Sequence, residues 1–125
     1  MTTARQQGDR WERYAESFLR RRGLRSVARN FNTRYGEIDL VMLDGAVLVF
    51  VEVRYRRRNH YGSGADSVTW AKQRRLISAA RHFLARHRPH AGRACRFDVV
   101  SLGGGADGPP LDPEVNWIQH AFEAD

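Results

Sequence analysis

Apolar residues recur at Trp11, Tyr14, Ala15, Phe18 and Leu19, the three- and four-residue spacing of one helical face. The spacing predicts a helix from about Arg5 to Arg22, stopped by Gly23. Leu24 to Phe31 reads as a first strand of weak pattern. GEIDLVML (36–43) predicts a second strand, Asp44-Gly45 a turn, and AVLVFVEVRY (46–55) a third strand. A glycine-containing loop, RRRNHYGSGADS, comes next. Thr69 then caps a second helix with Leu76, Ile77, Ala80, Phe83 and Leu84 on one face, ended by Pro89. CRFDVVSL (95–102) is a fourth strand. The loop GGGADGPPLDP lacks the strand-to-helix context of a dinucleotide fingerprint, and a short terminal segment, EVNWIQHAFE, closes the chain. The order α-β-β-β-α-β predicts an α/β fold, a mixed β-sheet flanked by helices. Residues 1–125 are expected to form one domain, with an acidic C-terminal loop and segment from about 103.

The third strand carries an acid where its pattern asks for an apolar residue. In VFVEVRYRRR (49–58) Glu52 stands among valines and Phe50, and Arg54 follows two residues on. Burying an ionised carboxylate costs several kcal/mol unless it is paired or binds a metal, on the order given by ion desolvation. Side chains alternate faces, so Phe50, Glu52 and Arg54 share one face of the third strand, and Glu37, Asp39 and Val41 one face of the second. An even-numbered turn, the commonest short kind, brings both sets to the same side. Carboxylates gathered there suit Mg²⁺ or Mn²⁺. A buried Glu52–Arg54 or Glu37–arginine ion pair fits the same residues, and the pattern alone does not separate the two.

Charge adds a partner class. The net charge of +7 is uneven: residues 1–96 hold 21 Lys and Arg against 8 acids, while residues 97–125 hold 6 acids and no Lys or Arg. A basic body with an acidic tail points to a polyanion, most simply nucleic acid. No apolar run is long enough to span a membrane. The N-terminal MTTARQQGDRWER does not read as a secretory signal, and the single Cys95 suits a reducing compartment, so the expected location is cytoplasmic. Lys72 is the only lysine among the 21 basic residues.

GEIDLV, then VFVEVRYR, TWAKQRRLISAARHFL and RFDVV, with GDRWERYAESFLRRRG and ARNFNTRYGEIDL before them and IQHAF at the end, resemble the YraN family of small bacterial proteins. The likeness runs over residues 8–122. That family is in turn similar to the restriction-endonuclease-like fold, Holliday-junction resolvases included, whose sites follow a D…(D/E)-x-K pattern. The resemblance implies that Asp39 and Glu52 are metal ligands, that the Val53 carbonyl is a third, and that Glu12 in the first helix completes the set. Helical geometry also favours Glu12, beside Leu19 at the edge of the apolar face, over Glu16, which points further outward. Glu37 has three candidate roles: ligand, support for a ligand, or partner for Arg54.

The motif's lysine is Arg54 here. Arginine stabilises charge on a phosphate but is never neutral, so it cannot act as a base. Lys72, in the first turn of the second helix where a cation opposes the helix dipole, is the candidate to supply what Arg54 lacks, with Gln73 assisting. Arg56, Arg57 and Arg58, with His60, Arg74 and Arg75, form a candidate track for a nucleic-acid backbone, read by shape and phosphate rather than by sequence. Tyr55, Tyr61 and Trp70 are equally suited to stacking on bases and to packing. His82, His87 and His90 lack a metal spacing, Cys95 reads as core, and Asp98 as a structural partner of Arg96.

The function expected is that of a Mg²⁺- or Mn²⁺-dependent nuclease acting on DNA rather than RNA, with branched or structured DNA suggested by fold analogy. A symmetric homodimer would suit a two-strand substrate. The alternative is a nuclease-fold module that binds nucleic acid with weak or absent catalysis. A third reading is a protein-interaction adaptor whose basic face docks an acidic partner.

Overall fold

A computed structural model describes residues 3–57, 68–104 and 108–124. The first helix, α1, spans Ala4–Arg21 and opens with a capping box, in which Thr3 Oγ1 accepts from Gln6 N (3.1 Å) and Gln6 Oε1 from Thr3 N (2.9 Å). It closes at Gly23, whose φ of 98° lets Gly23 N donate to Arg20 O and Leu24 N to Leu19 O. Leu19 and Leu24 bury together across that cap and fix where the chain enters the sheet.

Strands β1 (Arg25–Thr33), β2 (Gly36–Asp44) and β3 (Val47–Arg57) follow, then α2 (Trp70–Arg86), a one-turn 3-10 helix (Arg88–His90), β4 (Cys95–Gly104) and β5 (Glu114–Phe122). The five strands lie in the order β1-β2-β3-β4-β5, and only the β3–β4 pair is parallel, joined through α2. The fold is α/β, a mixed sheet flanked by two helices, as the pattern predicts and consistent with a nuclease-like fold. The terminal segment, expected only as a closing piece, is a full fifth strand antiparallel to β4. Its alternation is blurred by a register shift opposite Phe97–Val99 and by His120 at φ 51°.

Each helix covers one face. Trp11, Ala15 and Leu19 of α1 pack with Leu40, Met42, Val49, Val51, Val100 and Leu102. On the other face Leu76, Ile77, Ala80 and Phe83 of α2 meet Ile38, Val41, Leu43, Leu48, Phe50, Phe97 and Val99. Central strands buried on both sides are why residues 46–51 read as an unbroken apolar run. Gly36 is required where β2 passes under α2: a Cβ there would lie 2.6 Å from the Arg75 carbonyl oxygen.

The β2–β3 turn pairs Asp44 with Val47 around Gly45 (φ 59°) and Ala46, the even loop the parity argument needs. The antiparallel pairing runs to Leu40 opposite Val51 and no further. There the alternation slips: Ile38 packs on the α2 side while Leu40, two residues on, packs on the α1 side. Asn30 of β1, between the pairs Arg29–Leu40 and Phe31–Ile38, has φ 51° at the same level. Beside this slip, Glu37 lines a pocket with Lys72 and Arg75 of α2, and Asp39 hydrogen-bonds Glu52, as the parity argument expects. Asp39 meets Glu52 where the two strands part.

Candidate functional site

The fork between β2 and β3 holds two buried acids, Asp39 and Glu52. Where the backbone ladder stops, the Asp39 side chain takes its place, with Oδ2 accepting from Val53 N at 2.8 Å. Asp39 is 9% exposed and Glu52 6%. Burial, then the Glu52 charge, push the Asp39 carboxyl up to about 8 against the Val53 N–H, and the Glu12 charge adds to the rise. Asp39 also hydrogen-bonds Glu52 through their side chains, so a proton held on Asp39 bridges the pair.

Glu52 has a counter-ion from the opposite layer. Lys72 Nζ lies 3.2 Å from Glu52 Oε1. Thr69 sets that reach by capping α2, its Oγ1 accepting from Lys72 N at 3.2 Å and placing Lys72 in the first turn. The cation that opposes the helix dipole is thus spent on a buried carboxylate.

Glu12 completes the group from α1. It is half-buried, and burial, followed by the charges of Asp9 and Glu37, raises it to about 7. A hydrogen bond from Asn30 works against the rise, and the Glu52 charge adds to it. Glu12 Oε1 is buried with no hydrogen-bond partner. The expectation that Glu16 points outward is wrong. Glu16 is buried under β1, accepting from Ser26 Oγ (2.8 Å) and pairing with Arg29 Nε (3.3 Å), and so it anchors a strand instead of joining the cluster.

Glu12, Asp39, Glu37 and Glu52 are thus within electrostatic reach of one another, with Lys72 among them. Among the described residues no three His, Cys, Asp or Glu side chains converge closely enough to hold a metal ion. Arg54 and Arg56 follow Glu52 on the α2 side of β3, both half-buried. Gln73 turns away, its Nε2 donating to Val68 O at 3.0 Å. Arg74 lies over the Trp70 ring at 5.5 Å, and Trp70 is 68% exposed, while Arg75 is exposed on the same turns of α2. Arg58, His60 and Tyr61, and the side chain of Arg57, lie outside the described residues.

The remaining candidates resolve as packing. Tyr55 stacks on Trp11 with centroids 5.4 Å apart. Asp98 is buried and accepts from Arg96 Nε (3.0 Å), Trp117 Nε1 (2.9 Å) and His120 N (3.0 Å), tying β5 to β4. His87 stacks on Phe83 at 3.9 Å. Cys95, expected in the core, is exposed at the start of β4. Sequence reasoning missed Asn30, which reaches Glu12. Its signal was present, since asparagine is one of the few residues that tolerates the left-handed conformation it adopts here.

Comparison with known proteins adds kinship without an activity. The model of the uncharacterised protein family UPF0102 matches residues 11–102. A UPF0102 protein of Xanthomonas euvesicatoria pv. vesicatoria is 52% identical over 100% of this chain and 98% of its own length. The UPF0102 protein YraN of Escherichia coli is 49% identical over 96% of this chain and 86% of its own.

Proposed function

Because the chain belongs to the uncharacterised protein family UPF0102, whose name states no chemistry, we propose a function from the site itself: a metal-dependent nuclease that hydrolyses phosphodiesters in DNA, branched or structured DNA above all. One observation carries the reading. Acids from three separate elements, Glu12, Asp39 and Glu52, face the end of the β2–β3 ladder together with the chain's only lysine.

The donor set fits a hard divalent cation. All the donors are carboxylate oxygens, one of them, Glu12 Oε1, is buried without a partner, and two of the acids are raised by burial and by neighbouring negative charge. Such a set lacks positive charge. Asp39, Glu52 and Glu12 would hold Mg²⁺ or Mn²⁺, with the Val53 carbonyl beside them. A bound ion supplies the charge that offsets the one developing on the phosphoryl group and on the leaving 3′-oxygen.

The chain's own residues do the rest. Asp39, braced on Val53 N, is the fixed member of the set. Lys72 balances Glu52, and a cation held by Glu52 would take over that role and leave the ammonium to meet the phosphate. Arg54 adds charge on the same strand and takes no proton. Arg56, Arg74 and Arg75 offer positive charge for the backbone, with Arg57 and Arg58 next to Arg56 in sequence, so binding weakens steeply with salt.

A binding module without catalysis is the second reading. It is favoured by arginine at the motif's lysine position and by carboxylates that do not yet converge on one point. The two separate on labelled duplex, single-stranded and four-way-junction DNA, incubated with Mn²⁺ or Mg²⁺ against EDTA, with Glu52→Gln in parallel. Metal-dependent cutting that disappears in the variant, while DNA binding is kept or strengthened, supports the nuclease. Binding with no cutting by either protein overturns it in favour of the module. Cutting that persists in Glu52→Gln removes Glu52 from the site.

A further inference from the structure

The tip of the β1–β2 hairpin and the first turns of α2 enclose an open pocket of about 530 Å³ next to the acid cluster, within the size range of small-ligand sites. Arg34, Tyr35, Glu37, Lys72 and Arg75 line it, three cations to one acid among the described lining. Glu37 and Lys72 belong to both places: Glu37 acts on Glu12, and Lys72 pairs with Glu52. Pocket and cluster are neighbours through these two residues.

The pocket is preformed. Thr33 Oγ1 accepts from Tyr35 N (3.1 Å) and Gly36 N (3.0 Å) and donates to Gly36 O (2.8 Å), which clamps the hairpin tip. The bare Cα of Gly36 allows the Arg75 backbone to close against it. Tyr35 stands on this clamp, 52% exposed and outside both hydrophobic clusters. His82 supports its ring at 5.2 Å, and the Arg34 guanidinium lies 5.6 Å from the ring centre. An exposed arginine–tyrosine contact of that length is weaker than a base stacked on the ring, so a base displaces it and leaves the guanidinium beside the incoming phosphate.

We infer that this pocket binds one unpaired nucleotide flanking the scissile phosphate, its base on Tyr35 and its phosphate between Arg34 and Arg75. The inference rests on the nucleic-acid reading above and narrows its substrate class. A base inside a duplex is paired and stacked, and its face is not offered to a side chain in a pocket; one in a tail, fork or gap is. The protein is then selective for DNA with a single-stranded segment next to the cut.

Fluorescence anisotropy in EDTA and at fixed salt tests this with two labelled DNAs, a fully paired duplex and the same duplex with a short single-stranded tail. Wild type is compared with Tyr35→Ala, Tyr35→Phe and Arg75→Gln. Tyr35→Ala is expected to weaken binding of the tailed DNA about tenfold and to leave the paired duplex unchanged. Tyr35→Phe, which keeps the ring, binds both as wild type does. Arg75→Gln weakens the tailed DNA more than the duplex. Equal losses on both DNAs, or none in Tyr35→Ala, overturn the pocket while leaving the nucleic-acid reading intact. A wild-type protein that binds neither DNA removes that reading, and the pocket with it.

Discussion

The substitution Asp39→Asn separates the charge at the fork from its shape. An amide at position 39 still accepts from Val53 N through its oxygen and donates to Glu52 through its nitrogen, the two bonds that a protonated Asp39 makes. What is lost is titration. In the native protein Asp39 holds its proton up to about 8, whereas in the unfolded chain it gives the proton up near the ordinary value of 3.8. Between those limits the native state binds one more proton than the unfolded state, so stability falls as pH rises. The slope is about 1.4 kcal/mol per pH unit for one proton. Across two units, from pH 5.5 to 7.5, wild type loses roughly 3 kcal/mol from this group and Asp39→Asn loses none of it. All other groups are present in both proteins, so the difference between the two reports position 39 together with the acids it acts on. Urea unfolding followed by tryptophan fluorescence at intervals from pH 5 to 9 measures it. The gap should open in favour of the variant with rising pH and level off above about pH 8, where native Asp39 is ionised too. Parallel profiles would refute the protonated Asp39–Glu52 pair. Millimolar Mn²⁺ at pH 8 should recover wild-type stability, about 1.4 kcal/mol at ten times the dissociation constant, and do little for the variant.

Three further outcomes follow from the same geometry. Lys72→Met leaves the buried Glu52 carboxylate without its counter-ion, so thermal melting should show a loss of about 1–3 kcal/mol; metal-dependent cleavage should fall by roughly a hundredfold or more, and a kcat unchanged in this variant would take Lys72 out of the reaction. Gly36→Ala forces a methyl against the Arg75 carbonyl and should cost about 1–3 kcal/mol in chemical unfolding; no loss would mean that the hairpin and α2 separate freely. Asp98→Ala leaves Arg96 paired only with Asp44 and strands the Trp117 indole and His120 N, and should cost about 1–3 kcal/mol for each donor left without an acceptor, with hydrogen exchange rising first along β5.

Two kinds of information were legible in the residues to different depths. The helices and central strands could be read because their burial is one-dimensional: α1 and α2 bury one stripe each, and β3 is buried on both sides. A two-residue turn between β2 and β3 was legible from Asp44-Gly45, although it falls one residue further on, at Gly45-Ala46, and with it came the antiparallel pairing of Asp39's strand against Glu52's. The slip at Asp39 was not. It depends on Asn30 in a neighbouring strand and on β2 and β3 parting beyond Leu40, and neither leaves a mark in the periodicity of one segment. Glu16 misled for a related reason. Helical angle places it off the apolar stripe, but β1 lies over that side of α1 and buries it through Ser26 and Arg29. The strand β5 stayed hidden because its kink at His120 and its half-exposed faces erase alternation. Tyr35 sits at a hairpin tip, where sequence pattern predicts only a turn.

The place of Lys72 connects composition to chemistry. A chain that carries arginine at 20 of its 21 basic positions meets nearly every demand for positive charge with a guanidinium. Arginine holds carboxylates and phosphates at least as well as lysine, so charge pairing alone does not call for the exception. A helix first turn does not call for it either, since a cation there works against the dipole. Two properties distinguish the ammonium: it is a compact point charge, and its proton can be lost in a desolvated setting. The first bears on a position 3.2 Å from Glu52, at the rim of a cluster in which burial and neighbouring charge raise Glu12 to about 7 and Asp39 to about 8. Arg54, two residues after Glu52 on the same strand, has neither property. Restoring lysine at that strand position while removing it from the helix, in the double variant Arg54→Lys/Lys72→Met, asks whether the demand belongs to the cluster or to one location. Cleavage recovered above that of Lys72→Met alone assigns it to the cluster; cleavage no better than Lys72→Met ties it to the first turn of α2.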